Sequence, residues 1–383
     1  MGKVKLESIC TIVSGSTPKS SCPGYWGGSI KWVTPAEIGD ETHYIEDTER
    51  HITEEGMRSC HLRMMPSGTV LLSSRAPIGK TAITKSAMCC NQGFKNLICS
   101  KSISNEYLYH FLNAKADELK SMGRGATFKE ISKKQVESIV IDLPFLSEQS
   151  QRAAVLNQID ALLKQSHDLE RCTNDLVKSR FVEMFDSEKF ELVKLGGYCE
   201  RVTKGATPTT LGYHYQDNGI NFIKVESLAE NGSIVADKVA HISDECNEAM
   251  RRSQLRVGDI VFSIAGAIGR TAIIPDSILP ANTNQALAII RLRSPLAFDR
   301  IFLRYALISS DVTRSISSSK RGIAQVNLSL TDIKNLRVPL PPLALQQEFA
   351  AFVSQVDKLR FETQQQIEKL ETLKKSLMQK YFG

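Results

Sequence analysis

No stretch of this 383-residue chain approaches the run of roughly 18 apolar residues that a membrane-spanning helix needs, which argues against a membrane partner. Met1 to Ile9 carries charges and no apolar core, so no secretory signal is read there. The nine cysteines are odd in number, scattered and never spaced Cys-x-x-Cys, which argues against a disulfide framework and a thiolate zinc site. The seven histidines (His43, His51, His61, His110, His167, His214, His241) show no metal-ligand spacing. These absences describe a reduced, metal-free, cytoplasmic protein.

Cofactor and catalytic loops are equally scarce. There is no Gly-x-Ser-x-Gly elbow for acyl chemistry. No Gly-x-Gly-x-x-Gly opens a helix after a strand, so a dinucleotide or adenosyl cofactor lacks its usual glycine loop. Ser74-Arg75-Ala76-Pro77-Ile78-Gly79-Lys80-Thr81 resembles a phosphate-binding loop without its first glycine. A second copy of this segment, Ile264 to Thr271, also lacks that glycine and has Arg270 for the lysine, leaving only a shared Ile-Gly-Lys/Arg-Thr turn. Leu340-Pro341-Pro342-Leu343 lacks the polar residue with which amino-methyltransferases hold a target amine, and a helix start explains its prolines. Neither a self-contained methyltransferase nor a nuclease is indicated.

The chain is not short of core-forming residues or of basic ones. Its hydrophobic content of 42% supports globular packing, and its length suits two domains. Net charge is +6, most of it in the second half: residues 1–186 hold 23 basic and 22 acidic side chains, residues 187–383 hold 25 and 20. That balance permits a polyanionic partner without demanding one.

Repetition is the informative feature. Gly15-Ser16-Thr17-Pro18 returns as Gly205-Ala206-Thr207-Pro208, and Lys31-Trp32-Val33 as Asn221-Phe222-Ile223, both offset by 190. Gly68 to Ser73 returns as Gly258 to Ser263, Ile78 to Ile83 as Ile268 to Ile273, Asn91-Gln92 as Asn284-Gln285, and Gly125 as Gly322. Leu143-Pro144 returns as Leu340-Pro341, and Leu176 to Phe185 as Leu373 to Phe382, offset by 197. Matches in one order with a slowly drifting offset mark a duplicated domain; the period is too long for a solenoid.

Each copy reads as a mixed part followed by a long helix, an α+β organisation. Short β-rich runs alternate with Gly/Pro/Asn/Ser turn signals, and helices are expected around Asn105–Ser121 and Leu296–Ser310. The expected boundaries are 1–145 and 187–342 for the globular domains, with helices over 146–186 and 343–383. Pro144 and Pro341-Pro342 stand at the helix starts. Apolar residues at Val155, Leu162, Leu169 and Leu176, with Ile159, suggest a seam on the first helix. Phe349, Phe352, Val356, Leu359, Leu370, Leu373 and Leu377 suggest one on the second. Ser166, Thr173, Thr363 and Gln366 read as polar interruptions. A chain that returns on itself would pair these helices antiparallel, with the domains at opposite ends of a rod roughly 60 Å long at about 1.5 Å per residue.

The repeated polar turns suit DNA contact. Thr17, Lys19 and Ser20, matched by Thr207, Thr209 and Thr210, form hydroxyl-rich loops able to bond phosphates or base edges. Arg75, Lys80 and Arg270 stand at glycine turns that would let backbone amides approach a phosphate. Asn91-Gln92 and Asn284-Gln285 carry amides able to read adenine. Arg124 with Lys129, and Lys320-Arg321 with Gln325, flank a second glycine loop in each copy. A coiled-coil adaptor that binds only proteins would not need these loops.

The Gly-x-Thr-Pro loop, the repeated strand and Ile-Gly-Lys/Arg turn, the Asn-Gln pair, Leu-Pro-x-Leu at 143–146 and 340–343, and the closing Leu-Lys-Lys-Ser-Leu-Met-Gln-Lys-Tyr-Phe together resemble type I restriction–modification specificity subunits. The resemblance spans essentially the whole chain. It implies a non-catalytic subunit with two target recognition domains, each reading half of an asymmetric, bipartite double-stranded DNA site. It also implies helices that recruit two methyltransferase subunits, with restriction subunits completing the complex. S-adenosylmethionine, ATP and Mg would then belong to partner chains. A methyltransferase-only or type II-like complex is the alternative setting. Half-sites about one helical turn, or 10 base pairs, apart are expected.

Overall fold

The computed structural model describes residues 2–39, 42–123, 129–185, 189–319 and 327–383. Contacts divide the chain into two units, residues 1–168 with 364–383, and residues 169–363. Each unit holds one mixed α/β body and a segment of each long helix, so the expected α+β organisation with tandem domains is the one observed.

In the first unit a five-stranded sheet runs in the order Cys10–Ser14, Lys95–Cys99, Val70–Leu72, Thr81–Thr84, Tyr44–Ile45. A three-stranded sheet runs His51–Ile52, Trp26–Val33, Cys89–Cys90. The second unit repeats this topology without a counterpart to the edge strand Tyr44–Ile45. Its four-stranded sheet runs Cys199–Lys204, Leu287–Leu292, Ile260–Ser263, Thr271–Ile273, and its three-stranded sheet Ala240–Ile242, Ile220–Ile223, Ala281–Thr283. Val70–Leu72 and Ile260–Ser263 are buried throughout, as continuous apolar runs covered on both faces should be. A short antiparallel ribbon closes each body: Lys3–Lys5 pairs with Val140–Asp142, and Leu192–Lys194 with Arg337–Pro339.

The helix expected over Asn105–Ser121 is two, Asn105–Ala114 and Ala116–Met122. In the second copy the helix starts later than expected, as Arg300–Leu307 followed by Ser310–Ser319. Asp299 caps it by accepting from the N–H groups of Ile301 (2.8 Å) and Phe302 (3.1 Å).

The long helices span Leu146–Met184 and Leu343–Phe382. Gln149 and Gln346, both fully buried, fix their first turns to the bodies in the same way. The Gln149 Nε2 donates to the carbonyls of Pro144 (2.9 Å) and Ser102 (3.0 Å), and its Oε1 accepts from Ser104 N–H (2.8 Å). Gln346 repeats this with Pro341 (2.9 Å), Ala297 (3.0 Å) and Asp299 (2.9 Å).

Within each unit the two helices run antiparallel. In the first, Lys374 Nζ meets Asp160 Oδ1 at 2.6 Å and Arg152 Nη1 donates to the Tyr381 carbonyl at 3.3 Å. In the second, Arg360 Nη2 donates to the Thr173 carbonyl at 3.0 Å and Arg180 Nη2 to Glu348 Oε1 at 3.4 Å. The seam differs from the one expected. Val155, Leu169, Leu176, Leu359 and Leu373 are exposed, and Leu162, Phe352, Leu370 and Leu377 half-buried; of the expected seam, Ile159, Phe349 and Val356 are buried. The buried face carries Ala153, Leu156, Ile159, Ser166, Thr173, Val177 and Phe181 on one helix, and Phe349, Val353, Val356, Thr363 and Ile367 on the other. Leu156 and Val177 each lie one residue beyond an expected seam position, about 100° of helix rotation. The polar residues read as interruptions are seam members, Gln366 excepted, which is exposed. Ser166, Thr173 and Thr363 can be buried because their hydroxyls donate to carbonyls of their own helix, at Leu162 (2.9 Å), Glu170 (2.8 Å) and Leu359 (2.8 Å).

Candidate nucleic-acid interface

Hydrogen bonds bring the repeated turns together in each body, Gly15 to Phe94 and Ser74 to Gly93 in the first, Gly205 to Asn284 and Ile264 to Ala286 in the second. Gly15 and Gly205 permit this: a Cβ at Gly15 would strike the Asn91 carbonyl, and one at Gly205 the Thr283 carbonyl. With these loops in place, the Thr17 hydroxyl donates to the Gln92 side-chain oxygen, and Thr207 donates to Gln285. Gln92 and Gln285 are exposed. The bond uses their amide oxygen, so the NH2 group is left to donate outward. Thr17, Lys19 and Ser20 are exposed in the first copy, and Thr209 and Thr210 in the second, beside half-buried Thr207. Thr210 Oγ1 turns back to the Thr207 carbonyl at 2.7 Å.

Asn91 and Asn284 do different work. Their side-chain oxygens accept from the N–H groups of Gly93 (2.8 Å) and Ala286 (3.1 Å), closing Asx turns that present the neighbouring glutamine. Lys80 and Arg270 are likewise engaged. Lys80 Nζ donates to the Ile38 carbonyl at 2.7 Å, and Arg270 Nη1 to the Leu228 carbonyl at 3.3 Å. The turns carrying them match: Ser73 Oγ accepts from Lys80 N–H and donates to the Pro77 carbonyl, and Ser263 Oγ does so with Arg270 and Ala267.

Arg75 and Lys129 are exposed. Arg75 Nε donates to Glu130 Oε2 at 2.9 Å, and Lys95 Nζ reaches Glu130 Oε1 at 2.9 Å. Burial would raise the Glu130 carboxyl; hydrogen bonds and charge from Lys95 and Arg75 outweigh it and hold the group below its ordinary value. Ser74 N–H donates to Gly93 O at 2.7 Å, so Thr17, Gln92, Arg75 and Glu130 belong to one patch. Arg124, Lys320, Arg321 and Gln325 lie outside the described residues. Sequence reasoning missed Lys95 and Glu130. The available signal was a lysine at the head of the strand Lys95–Cys99.

A second polar cluster joins the first body to its helix. Glu106 accepts from Tyr44 (2.8 Å) and Asn157 (3.0 Å) and lies 2.9 Å from His43 Nε2, while His43 stacks between Tyr44 and Tyr109 at 4.1 Å from each. Burial opposes ionisation of Glu106, but hydrogen bonds from His43, Tyr44 and Asn157 win and bring it down to about 2. Among the described residues no group of three or more His, Cys, Asp or Glu side chains is placed to hold a metal ion. No helix is long and apolar enough to cross a membrane among those residues.

Comparison with known proteins places this geometry. The model of the type I restriction modification DNA specificity domain matches residues 1–171 and again 187–372. This chain belongs to the type I restriction–modification specificity family. The two matches in this family member coincide with the two copies of the repeated frame. The type I restriction enzyme MjaIX specificity subunit of Methanocaldococcus jannaschii is 30% identical over 399 residues, covering 98% of this chain and 91% of that one. The EcoBI specificity subunit of Escherichia coli is 23% identical over 312 residues, 73% of this chain and 65% of that one. In fold, the chain is similar to the S subunit of a type I restriction–modification system from M. genitalium, with a TM-score of 0.61 at 13% identity, covering 100% and 96% of the two chains.

Proposed function

We propose that this chain is the sequence reader of a type I restriction–modification complex, each mixed domain contacting one half of a split double-stranded DNA target. The carrying observation is one loop frame built twice with unlike side chains on it. Gly15/Gly205, Thr17–Gln92/Thr207–Gln285 and the Asx turns of Asn91/Asn284 are common to both copies. Arg75 and Ala265 differ at the same place. A shared frame with different exposed donors suits two readers of different bases, and the site is therefore asymmetric. Thr17, Lys19, Ser20, Arg75, Gln92 and Lys129 are the contact set of the first domain, and Thr207, Thr209, Thr210 and Gln285 belong to that of the second. Arg124, Lys320, Arg321 and Gln325 complete it on sequence grounds. Lys80, Arg270, Asn91 and Asn284 shape the loops.

The chain does no chemistry in this reading. Two methyltransferase subunits and the restriction subunits carry S-adenosylmethionine, ATP and Mg. The exposed leucines Leu169, Leu176, Leu359 and Leu373 on the long helices give those subunits apolar surface to bind. The test is methylome sequencing of the source strain with and without this gene. A split methylated motif that disappears on deletion is expected. Exchange of residues 1–145 for the equivalent domain of a relative should rewrite one half only. A continuous motif, or an exchange that rewrites both halves, refutes the two-reader function.

A further inference from the structure

The shared frame makes the differences between the copies a controlled comparison. In the first copy Ser74 donates to the Gly93 carbonyl (2.7 Å) and accepts from Ile131 N–H (2.9 Å). In the second, Ile264 donates to Ala286 (2.8 Å) and accepts from Leu328 (2.9 Å). The next residue is Arg75 in one and Ala265 in the other. Strand register sets Lys95 opposite Ser14 and Ala288 opposite Lys204, so Ala288 stands where Lys95 does. The sequence offset of 197 sets Asn327 where Glu130 stands. The Lys95–Glu130–Arg75 triad is therefore particular to the first domain.

Stability does not account for it. Lys95 has a side chain only 9% exposed, and burying an ammonium costs several kcal/mol that its ion pair only partly returns. The second domain fills the same position with fully buried Ala288. What the triad provides is orientation. A guanidinium is planar with five donors, and tying Nε to a braced carboxylate fixes that plane. Among the described residues, neither Nη group of Arg75 has a hydrogen-bond partner. A phosphate needs only a nearby charge, whereas O6 and N7 of guanine need two donors held in one plane.

We propose that Arg75, held by the positioning residues Glu130 and Lys95, reads a guanine in the half-site of the first domain, a contact that the second domain, with Ala265, does not make. This rests on the DNA-reading function proposed above. The full chain, assembled with its methyltransferase subunits, is incubated with a pool of randomised duplexes and the bound fraction is sequenced. The unaltered complex should enrich a split motif with guanine at a fixed place in one half. Arg75→Ala should lose preference there by roughly ten- to a hundredfold, leaving the other half and the salt slope unchanged. Arg75→Lys should not restore it, because one ammonium cannot span both acceptors. Glu130→Gln, and the pair Lys95→Ala with Glu130→Asn that copies the second domain, should weaken the same guanine alone. Arg75→Ala that weakens all sequences alike and lowers the salt slope by about one overturns the proposal in favour of a phosphate contact. So does a motif left unchanged by Arg75→Ala. A wild-type complex that enriches no motif overturns the functional reading and this inference together.

Discussion

Asp259→Asn is the substitution whose cost follows most directly from the structure. Asp259 precedes the strand Ile260–Ser263, and its side chain is 1% exposed. Its carboxylate accepts from Arg291 Nε at 2.8 Å and Nη2 at 2.6 Å, across to the neighbouring strand Leu287–Leu292. A third bond, from Arg256 N–H at 2.8 Å, closes the turn before the strand. Asparagine keeps the shape and its one oxygen can accept two of these bonds, but its NH2 then faces an Arg291 donor, and the guanidinium, which does not deprotonate, is left buried without a counter-charge. Removing one partner of a buried pair costs about 3–5 kcal/mol. The retained amide oxygen and the remaining Arg291 Nη2 bond to the Gln254 carbonyl, at 3.2 Å, favour the lower end. A loss of about 3 kcal/mol is roughly a hundredfold in an opening equilibrium. Hydrogen exchange on the full chain reads it: amides of Ile260–Ser263 and Leu287–Leu292 should exchange about that much faster, while those of Val70–Leu72 in the first unit serve as control. The first copy has Thr69 and Ile98 at the corresponding positions, so Asp259→Thr with Arg291→Ile should recover most of the loss. Unchanged exchange in Asp259→Asn, or equal acceleration in the control strand, would refute the reasoning.

Three further outcomes are expected. Val177→Asp, at a fully buried seam position, should lower the melting temperature sharply, whereas Leu176→Asp, at a position 51% exposed, should leave folding within about 0.5 kcal/mol; the reverse order would return the seam to the heptad positions. Lys80→Met removes a charged donor from the Ile38 carbonyl and should cost about 1.5 kcal/mol with the salt slope of DNA binding unchanged; a slope lower by one would mean a phosphate contact. Glu106 has its folded value depressed from 4.5 to about 2, so its contribution is present above about pH 4.5 and is lost as pH falls toward 2. That contribution is on the order of 3 kcal/mol. The advantage of the wild type over Glu106→Gln in acid unfolding should shrink across that window, and a constant difference would contradict it.

The architecture was legible because a period near 190 residues is a long-range signal that local propensity does not blur. The strands Val70–Leu72 and Ile260–Ser263, the helix starts after Pro144 and Pro342, and the Thr-Pro and Asn-Gln loops all follow from it. The helix seam was not legible. A search for apolar residues finds Leu169 and Leu176, but the buried positions beside them are Ser166 and Thr173, whose hydroxyls are satisfied within the helix. A polar residue with an internal partner costs little to bury, and nothing in its identity announces that partner.

The same reasoning separates what duplication can and cannot reveal about the candidate interface. Elements that both copies need, such as Gly15 and Gly205 or the Asn91 and Asn284 turns, repeat, and repetition exposes them in the sequence. A base-reading side chain in a protein with two different half-sites has no reason to repeat. The reader we propose stands where the copies disagree, at Arg75 against Ala265, in a segment whose Ile-Gly-Lys/Arg-Thr turn the two copies otherwise share. Only coordinates connect Arg75 to Glu130, 55 residues on, and Glu130 to Lys95. In sequence that lysine is one charge at the head of the strand Lys95–Cys99, followed by Asn96 before the apolar Leu97-Ile98-Cys99. Its burial beside Glu130 sets the Arg75 guanidinium apart from an ordinary exposed arginine, and that bracing is the ground on which we propose Arg75 as a reader of a base edge.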